Sequence, residues 1–299
     1  MKLNHLPRFV VPDGQAWMPL DVTHALANTD EDIARNIEYA LGLDYIPFND
    51  VMGTKSGAVA VVGSGPSLKE NWHELKDFDG DIVACNAACQ FLLEKGIVPT
   101  YMMCFDADPL MLEFITPHED ITYLLSSRCP PKAFDLLKDQ KIVCWHTSGD
   151  THIQELLEKH GKMEPMVSGG TAAVTRCMVL VLPMGYTSVH IYGGDSSFSE
   201  SGDTHIRKST TEERRMAIKC NGRVFEVAPW MTVQINDFKI LSPMFRRFNI
   251  KLFIHGDGLL QHVARELGFR TDYENVVQQW LREFKRDWTR KATILWQHI

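Results

Sequence analysis

The stretch Ala58–Lys69, AVAVVGSGPSLK, decides the fold. It begins with five apolar residues and no polar break, the texture of a strand covered on both faces. The strand runs straight into Gly63-Ser64-Gly65-Pro66-Ser67. Two glycines let backbone N–H groups approach an anion, and Ser67 can cap the helix that follows. No GK[ST] follows, so this is not a Walker loop, and the third glycine of the dinucleotide fingerprint is missing. Two glycines also suit a bare strand-to-helix turn. The position after the first strand favours contact with a phosphate or nucleotide.

Runs of the same length and texture recur at Asp81–Asn86, Tyr101–Asp106, Ile121–Ser126, Lys141–His146, Ser188–Asp195 and Asn249–His255. Helical patterns fall between them at Ala87–Lys95, Pro131–Lys138, His152–His160, Thr171–Met184, Val233–Arg247 and Leu259–Leu267. This alternation predicts an α/β fold: a Rossmann-like, doubly wound, mostly parallel sheet. Ligands in such sheets bind past the carboxyl ends of the strands, so functional residues should follow the runs. Upstream, Asn28-Thr29-Asp30-Glu31 reads as the cap of a helix reaching about Leu41, and Asp44–Gly57 reads as loop. The expected division is an N-terminal extension (1–56), the Rossmann-like domain (57–260) and a helical C-terminal tail (261–299).

Composition narrows the class. The chain has 299 residues, 44% hydrophobic and 23% charged, which excludes disorder as its main state. A net charge of −7 argues against gross attraction to nucleic acid or membrane, though not against a local basic patch. The seven cysteines form no CxxC pair and most lie in apolar runs, so they are expected to be reduced, buried and cytoplasmic. Met1–Val11 lacks the apolar core of a signal peptide, and no run approaches the ~18 apolar residues of a membrane span.

The strand ends carry the chemistry. Asn86 can bond a base or ribose, or simply cap the next helix. Asp106 and Asp108 have the spacing to hold Mg²⁺ or Mn²⁺ beside a diphosphate, or to sit in a solvated turn. Gly169, Gly170 and Thr171 open a long apolar helix and make a second candidate anion site. The densest cluster is Gly193-Gly194-Asp195-Ser196-Ser197-Phe198, running on to Thr204-His205. Asp195 or His205 can serve there as general base toward an acceptor hydroxyl. Arg207, Lys208, Arg214, Arg215, Lys219 and Arg223 then form a basic stretch. It suits a solvated helix face, or a seat for an anionic acceptor or DNA. The tail interleaves Trp280, Phe284, Trp288 and Trp296 with Arg and Lys. An amphipathic helix docking on this domain, or on a second copy in a homo-oligomer, is the expected use.

The ordered set GSGPSLK, CNAA, KGIVPTYMMCFDAD, VSGGTAAV and GGDSSF with a nearby TH resembles a family spanning about residues 57–260. That family joins the MptE-like 6-hydroxymethylpterin diphosphokinases with the motility accessory factor flagellin glycosyltransferases. The GSGPSLK and CN elements are also similar to bacterial CMP-sialic acid sialyltransferases. The resemblance implies nucleotide phosphates at Gly63, Ser64, Gly65, Pro66 and Ser67, and a nucleotide pocket at Asn86 and Asp106. It matches Gly169, Gly170 and Thr171 to a second glycine loop, and Asp195 and His205 to the GxD and TH positions.

The leading expectation is a glycosyltransferase that moves a sugar from a nucleotide-sugar donor, most plausibly CMP-linked, to a hydroxyl of a protein, glycan, lipid or DNA base. His205 or Asp195 would be the base, and Arg207, Lys208, Arg214 and Arg215 would seat the acceptor. A metal at Asp106 and Asp108 would assist the leaving phosphate. The alternative is a diphosphokinase using ATP and Mg²⁺, with Asp106 and Asp195 on the metal and Phe198 or Trp230 stacked on the pterin. A third reading is a nucleotide-binding module without catalysis.

Overall fold

The computed structural model describes residues 28–150, 152–206 and 213–271, and the backbone of two short strands before them. Those strands, β1 (Arg8–Val10) and β2 (Trp17–Pro19), pair antiparallel. Then come α1 (Asp30–Leu41), β3 (Ile46–Pro47), β4 (Ala58–Val62), α2 (Leu68–Asn71), β5 (Asp81–Cys85) and α3 (Ala87–Glu94). They are followed by β6 (Tyr101–Cys104), β7 (Thr122–Ser126), α4 (Pro131–Leu136), β8 (Lys141–Thr147), α5 (Ile153–Lys159), β9 (Met166–Val167) and α6 (Ala173–Leu180). The last are β10 (Ser188–Tyr192), β11 (Met216–Cys220), β12 (Arg223–Val227), α7 (Pro229–Arg247), β13 (Lys251–Ile254), α8 (Leu259–Glu266) and β14 (Arg270–Thr271).

The main sheet runs β14-β13-β10-β4-β5-β6-β7-β8-β3, with β9 added on β8, and every pairing in it is parallel. The chain builds one half outward from β4 through β5 to β8, then returns to β10 on the other side of β4. The order therefore reverses between β4 and β10, the place where ligands bind in such folds.

Alternate residues of β4 enter two cores. Val59 and Val61 join Cys177, Leu180, Ile235 and Phe238 on the face covered by α6 and α7. Ala60 and Val62 join Leu68, Ala88 and Leu92 on the other. Covering both faces is why the run needs no polar alternation. A smaller cluster joins Ile33, Ile37 and Leu41 of α1 to Ile153 and Leu157 of α5. The helix opens at Thr29, whose Oγ1 accepts from the Asp32 amide at 3.1 Å while Asp32 accepts from the Thr29 amide at 3.2 Å. All seven cysteines are buried and free.

Two findings depart from the sequence reading. Ile46–Pro47 lies in the stretch expected to be loop, yet it pairs with β8 at the sheet's edge; two residues leave no periodic signal. The sheet thus reaches from residue 46 to residue 271. The second half of the basic stretch is not a helix face. It is the antiparallel hairpin β11–β12, turning on Asn221 (φ 49°) and Gly222 (φ 77°). Positive φ at both central residues gives a primed turn, whose twist suits a hairpin. The Trp-rich tail lies outside the described residues, and among those residues no helix is long and apolar enough to cross a membrane.

Candidate functional site

Two loops meet at the reversal point, backbone against backbone. The Gly63 amide donates to the Tyr192 carbonyl and the Gly65 amide to the Gly193 carbonyl, both at 2.8 Å. A Cβ on Gly65 would lie 2.6 Å from Gly193 O and 2.3 Å from Asp195 Oδ2; one on Gly193 would lie 2.3 Å from Gly63 O. Both glycines of the first loop are therefore needed for contact with the GGD loop, and their N–H groups are already engaged. A further amide of the turn, from Ser67, donates to Asp195 Oδ2 at 3.0 Å.

Asp195 sits at the junction. It is 5% exposed, its carbonyl accepts from Leu260 of α8 at 3.0 Å, and the backbone of Gly258 presses against it. Burial pushes its carboxyl up to about 6, against the pull of the Ser67 hydrogen bonds. Ser196 follows in the left-handed region (φ 53°), with a buried hydroxyl that has no partner.

A cleft of about 200 Å³ opens beside this junction, lined by Ser64, Asn86, Ala173, Asp195, Ser196 and His205 among others. Asn86 is held at φ 48°, ψ −124°, and its buried Oδ1 has no partner. A non-glycine residue there costs on the order of 1–3 kcal/mol and persists where its surroundings enforce it. On the far wall, α6 points its first turn at the cleft. The amides of that turn lack carbonyl partners within the helix and carry its positive dipole end. The described lining holds one carboxylate, Asp195, and neither Lys nor Arg.

His205 reaches the same cleft from the loop after Asp195. The Ile206 amide donates to the Ser64 carbonyl at 2.8 Å, which pins this loop onto the first glycine turn. His205 Nδ1 lies 2.8 Å from Thr204 Oγ1, and its ring stacks on Trp230 with centroids 5.7 Å apart. Trp230 Nε1 in turn donates to Glu213 at 2.7 Å. Burial lowers the imidazole's basicity, against the pull of Glu213, which favours the neutral ring.

The second glycine loop differs from its sequence reading. Gly169 (φ 90°) and Gly170 (φ 79°) make the turn, but Thr171 donates both its amide and its hydroxyl to Asp237 of α7, each at 2.6 Å. A carboxylate of the chain itself thus occupies the donors of Thr171.

Asp106 and Asp108 are capping residues of their own turn. Asp106 Oδ1 accepts from the Asp108 amide at 3.1 Å, and Asp108 Oδ1 accepts from the Leu110 amide at 2.9 Å. Neither lines the cleft beside Asp195, and among the described residues no three His, Cys, Asp or Glu side chains gather as a metal set. Arg207 and Lys208 lie outside the described residues. Arg214 and Arg215 are both exposed; Arg215 pairs with Glu226 at 2.6 Å and lies over the Phe198 ring at 4.2 Å.

Sequence reasoning passed over Ser196, Asp237 and the hairpin. The hairpin had a signal: Asn221-Gly222 flanked by Ile218, Cys220, Phe225 and Val227, which alternate into the core.

No curated protein matches this sequence significantly. Among solved structures, the fold is similar to the MAf glycosyltransferase of Magnetospirillum magneticum AMB-1, with a TM-score of 0.59 and 16% identity over 78% of this chain. The match spans 37% of that longer protein. A mammalian sialyltransferase matches more loosely, with TM-score 0.40 and 14% identity over 78% of this chain and 82% of its own. So does sialyltransferase CstII from Campylobacter jejuni, with TM-score 0.31 and 13% identity over 66% of this chain and 79% of its own. The profile of the 6-hydroxymethylpterin diphosphokinase MptE-like family matches residues 32–201, more than half of the sequence, and the chain belongs to that family.

Proposed function

We propose that the protein is a nucleotide-dependent transferase that passes a sugar from a nucleotide donor, a CMP-sugar, to an acceptor hydroxyl. One observation carries this reading. The cleft at the reversal point brings together the first residues of α6, the unpartnered Asn86 Oδ1 and the His205 ring, whose basicity burial lowers. Amides and a helix dipole stabilise a leaving phosphate without a carboxylate-bound cation. Asn86 Oδ1 accepts a hydrogen bond from the ribose or the base. The choice of CMP rests on the GSGPSLK and CN pair of the sequence.

His205 is the proposed base. Thr204 holds its Nδ1 and Trp230 fixes the ring plane, which leaves Nε2 to take the acceptor's proton. The acceptor oxygen then attacks the anomeric carbon, the bond to the phosphate breaks, and CMP departs. Asp195 holds the two loops together and closes the floor. The test is CMP release from a CMP-sugar, with and without added acceptors, by wild type and His205→Ala. Acceptor-stimulated release that depends on His205 is expected. Release that is equal in both proteins counts against the assignment.

The family profile favours a second reading, diphosphoryl transfer from ATP to a pterin hydroxymethyl group. It predicts Mg²⁺-dependent AMP formation with a reduced pterin. Asp106, which this reading places on the metal with Asp195, faces solvent and does not line the cleft.

A further inference from the structure

Beyond Asp195 lies a second, wider space of about 770 Å³, and Asp195 lines both. Its walls are the first turn of α2, the loop from Ser197 to Asp203, and the outer strand of the hairpin. The Phe198 amide ties that loop to the hairpin through the Glu226 carbonyl at 2.9 Å. We infer that this groove seats the acceptor and selects a neutral or amino-bearing glycoside over a polyanion. The inference rests on the reading of the narrow cleft as the donor site.

The charge of the groove carries it. Glu70, Asp195, Glu200, Asp203, Glu226 and Asp257 line the space. The described cations in contact with them are three: Lys69 on Asp203 at 3.1 Å, Arg215 on Glu226 at 2.6 Å, and Arg223 on Asp257. Among the described residues, then, six carboxylates face three cations, and Glu70 and Glu200 have no described cation against them. Each of those cations is already paired with a carboxylate, so none is offered alone to a phosphate or sulfate. Ionised carboxylates only accept hydrogen bonds, so the matching ligand must be rich in donors. Sugar hydroxyls and ammonium groups are such donors; nucleic acid backbones and sulfated glycans are not. Position completes the argument. An acceptor in this groove borders on Asp195, across which the donor cleft opens. Of the basic stretch, Arg215 and Arg223 pair with carboxylates of the groove's own wall, while Arg207 and Lys208 lie outside the described residues.

The test is saturation-transfer NMR on the full-length protein with CMP present. The probes are methyl β-lactoside, a chitosan trimer, a heparin-derived hexasaccharide, a single-stranded DNA 12-mer and a Lys- and Ser-rich peptide. Transfer to the lactoside and the chitosan trimer is expected, with little to the two polyanions. The exposed Glu70→Lys, Glu200→Lys double variant should weaken the chitosan trimer roughly tenfold and leave CMP-induced thermal stabilisation intact. Preferential binding of heparin or DNA by wild type overturns the inference. So does binding of the peptide without the saccharides. If CMP stabilises the protein and no saccharide binds, the groove assignment fails while the donor reading stands. If saccharides bind and CMP does not stabilise, the donor reading fails and takes the acceptor role with it, leaving the groove a saccharide site only.

Discussion

The two spaces that share Asp195 are built on opposite principles. The cleft of about 200 Å³ is lined by the first residues of α6, by Ser, Thr and Asn side chains, one imidazole and the single carboxylate of Asp195, with no Lys or Arg in its described lining. The groove of about 770 Å³ is lined by side-chain carboxylates, three of them tied to cations. Helix-end amides present fixed partial positive charge at little reorganisation cost, which suits a phosphate that gains charge as it leaves. Flexible acidic side chains present acceptors, which suits hydroxyls. The difference teaches that the overall charge of a chain, or of a sequence segment, does not forecast the charge of its site.

Four measurements break or sharpen that contrast, in descending size of effect. The largest concerns the cleft alone: His205→Ala should lower acceptor-dependent transfer by about 10²–10⁴-fold. Binding of CMP should hardly change, as read by calorimetry. A variant of normal rate would move the chemistry elsewhere.

Next is the shared wall. Asp195 rises from its ordinary 3.8 to about 6 because the fold buries it. The fold therefore favours the protonated form. Stability is greatest where the carboxyl is neutral in both states, and falls as pH rises from about 4 to about 6. The total loss is on the order of 3 kcal/mol. In Asp195→Asn that fall should vanish, so denaturant titrations of the two proteins should diverge between pH 4 and 6 and run parallel above. Parallel curves throughout would place Asp195 in a solvated setting.

Third, Gly65→Ala drives a methyl group to within 2.3 Å of Asp195 Oδ2 and 2.6 Å of Gly193 O. Because backbone stands in the way, a loss of about 1–3 kcal/mol is expected by urea unfolding. CMP affinity should fall with it. Full stability with lost CMP binding would instead make the glycine a ligand contact.

Smallest is Thr171→Val, which removes one hydroxyl bond to Asp237. About 1–2 kcal/mol of stability should go. CMP affinity should stay close to wild type if the phosphate meets the α6 amides rather than Thr171, as calorimetry can show.

The sheet was legible because its strands are unbroken apolar runs between helical patterns. All seven runs read from the sequence are strands, each within two residues or so except where a turn was counted in, as at Tyr192–Asp195. The edge strand Ile46–Pro47 was not legible, since a two-residue pairing is decided by the β8 backbone beside it. The site was legible in position more than in role. Gly63, Gly65, Asn86, Asp195 and His205 do line one cleft. Glycine in a loop, however, signals close approach without saying what approaches. At Gly65 it is the Gly193 backbone, and at Gly169 it is Leu241 of α7. Asp237 lies 66 residues from Thr171, and no local pattern announces a partner at that separation. Arg215 and Arg223 looked like a basic patch because their partners Glu226 and Asp257 come from later in the chain.

The central claim is that the narrow cleft binds a nucleoside monophosphate through amides. A thermal-shift panel of CMP, CDP, UDP, GDP, AMP and ATP, each with and without Mg²⁺, tests it most directly. At about 100 times its dissociation constant a ligand stabilises the fold by about 2.7 kcal/mol, a clear shift in melting temperature. Stabilisation by CMP without Mg²⁺ is the predicted result. Stabilisation by ATP alone, and only with Mg²⁺, would contradict it and favour diphosphoryl transfer.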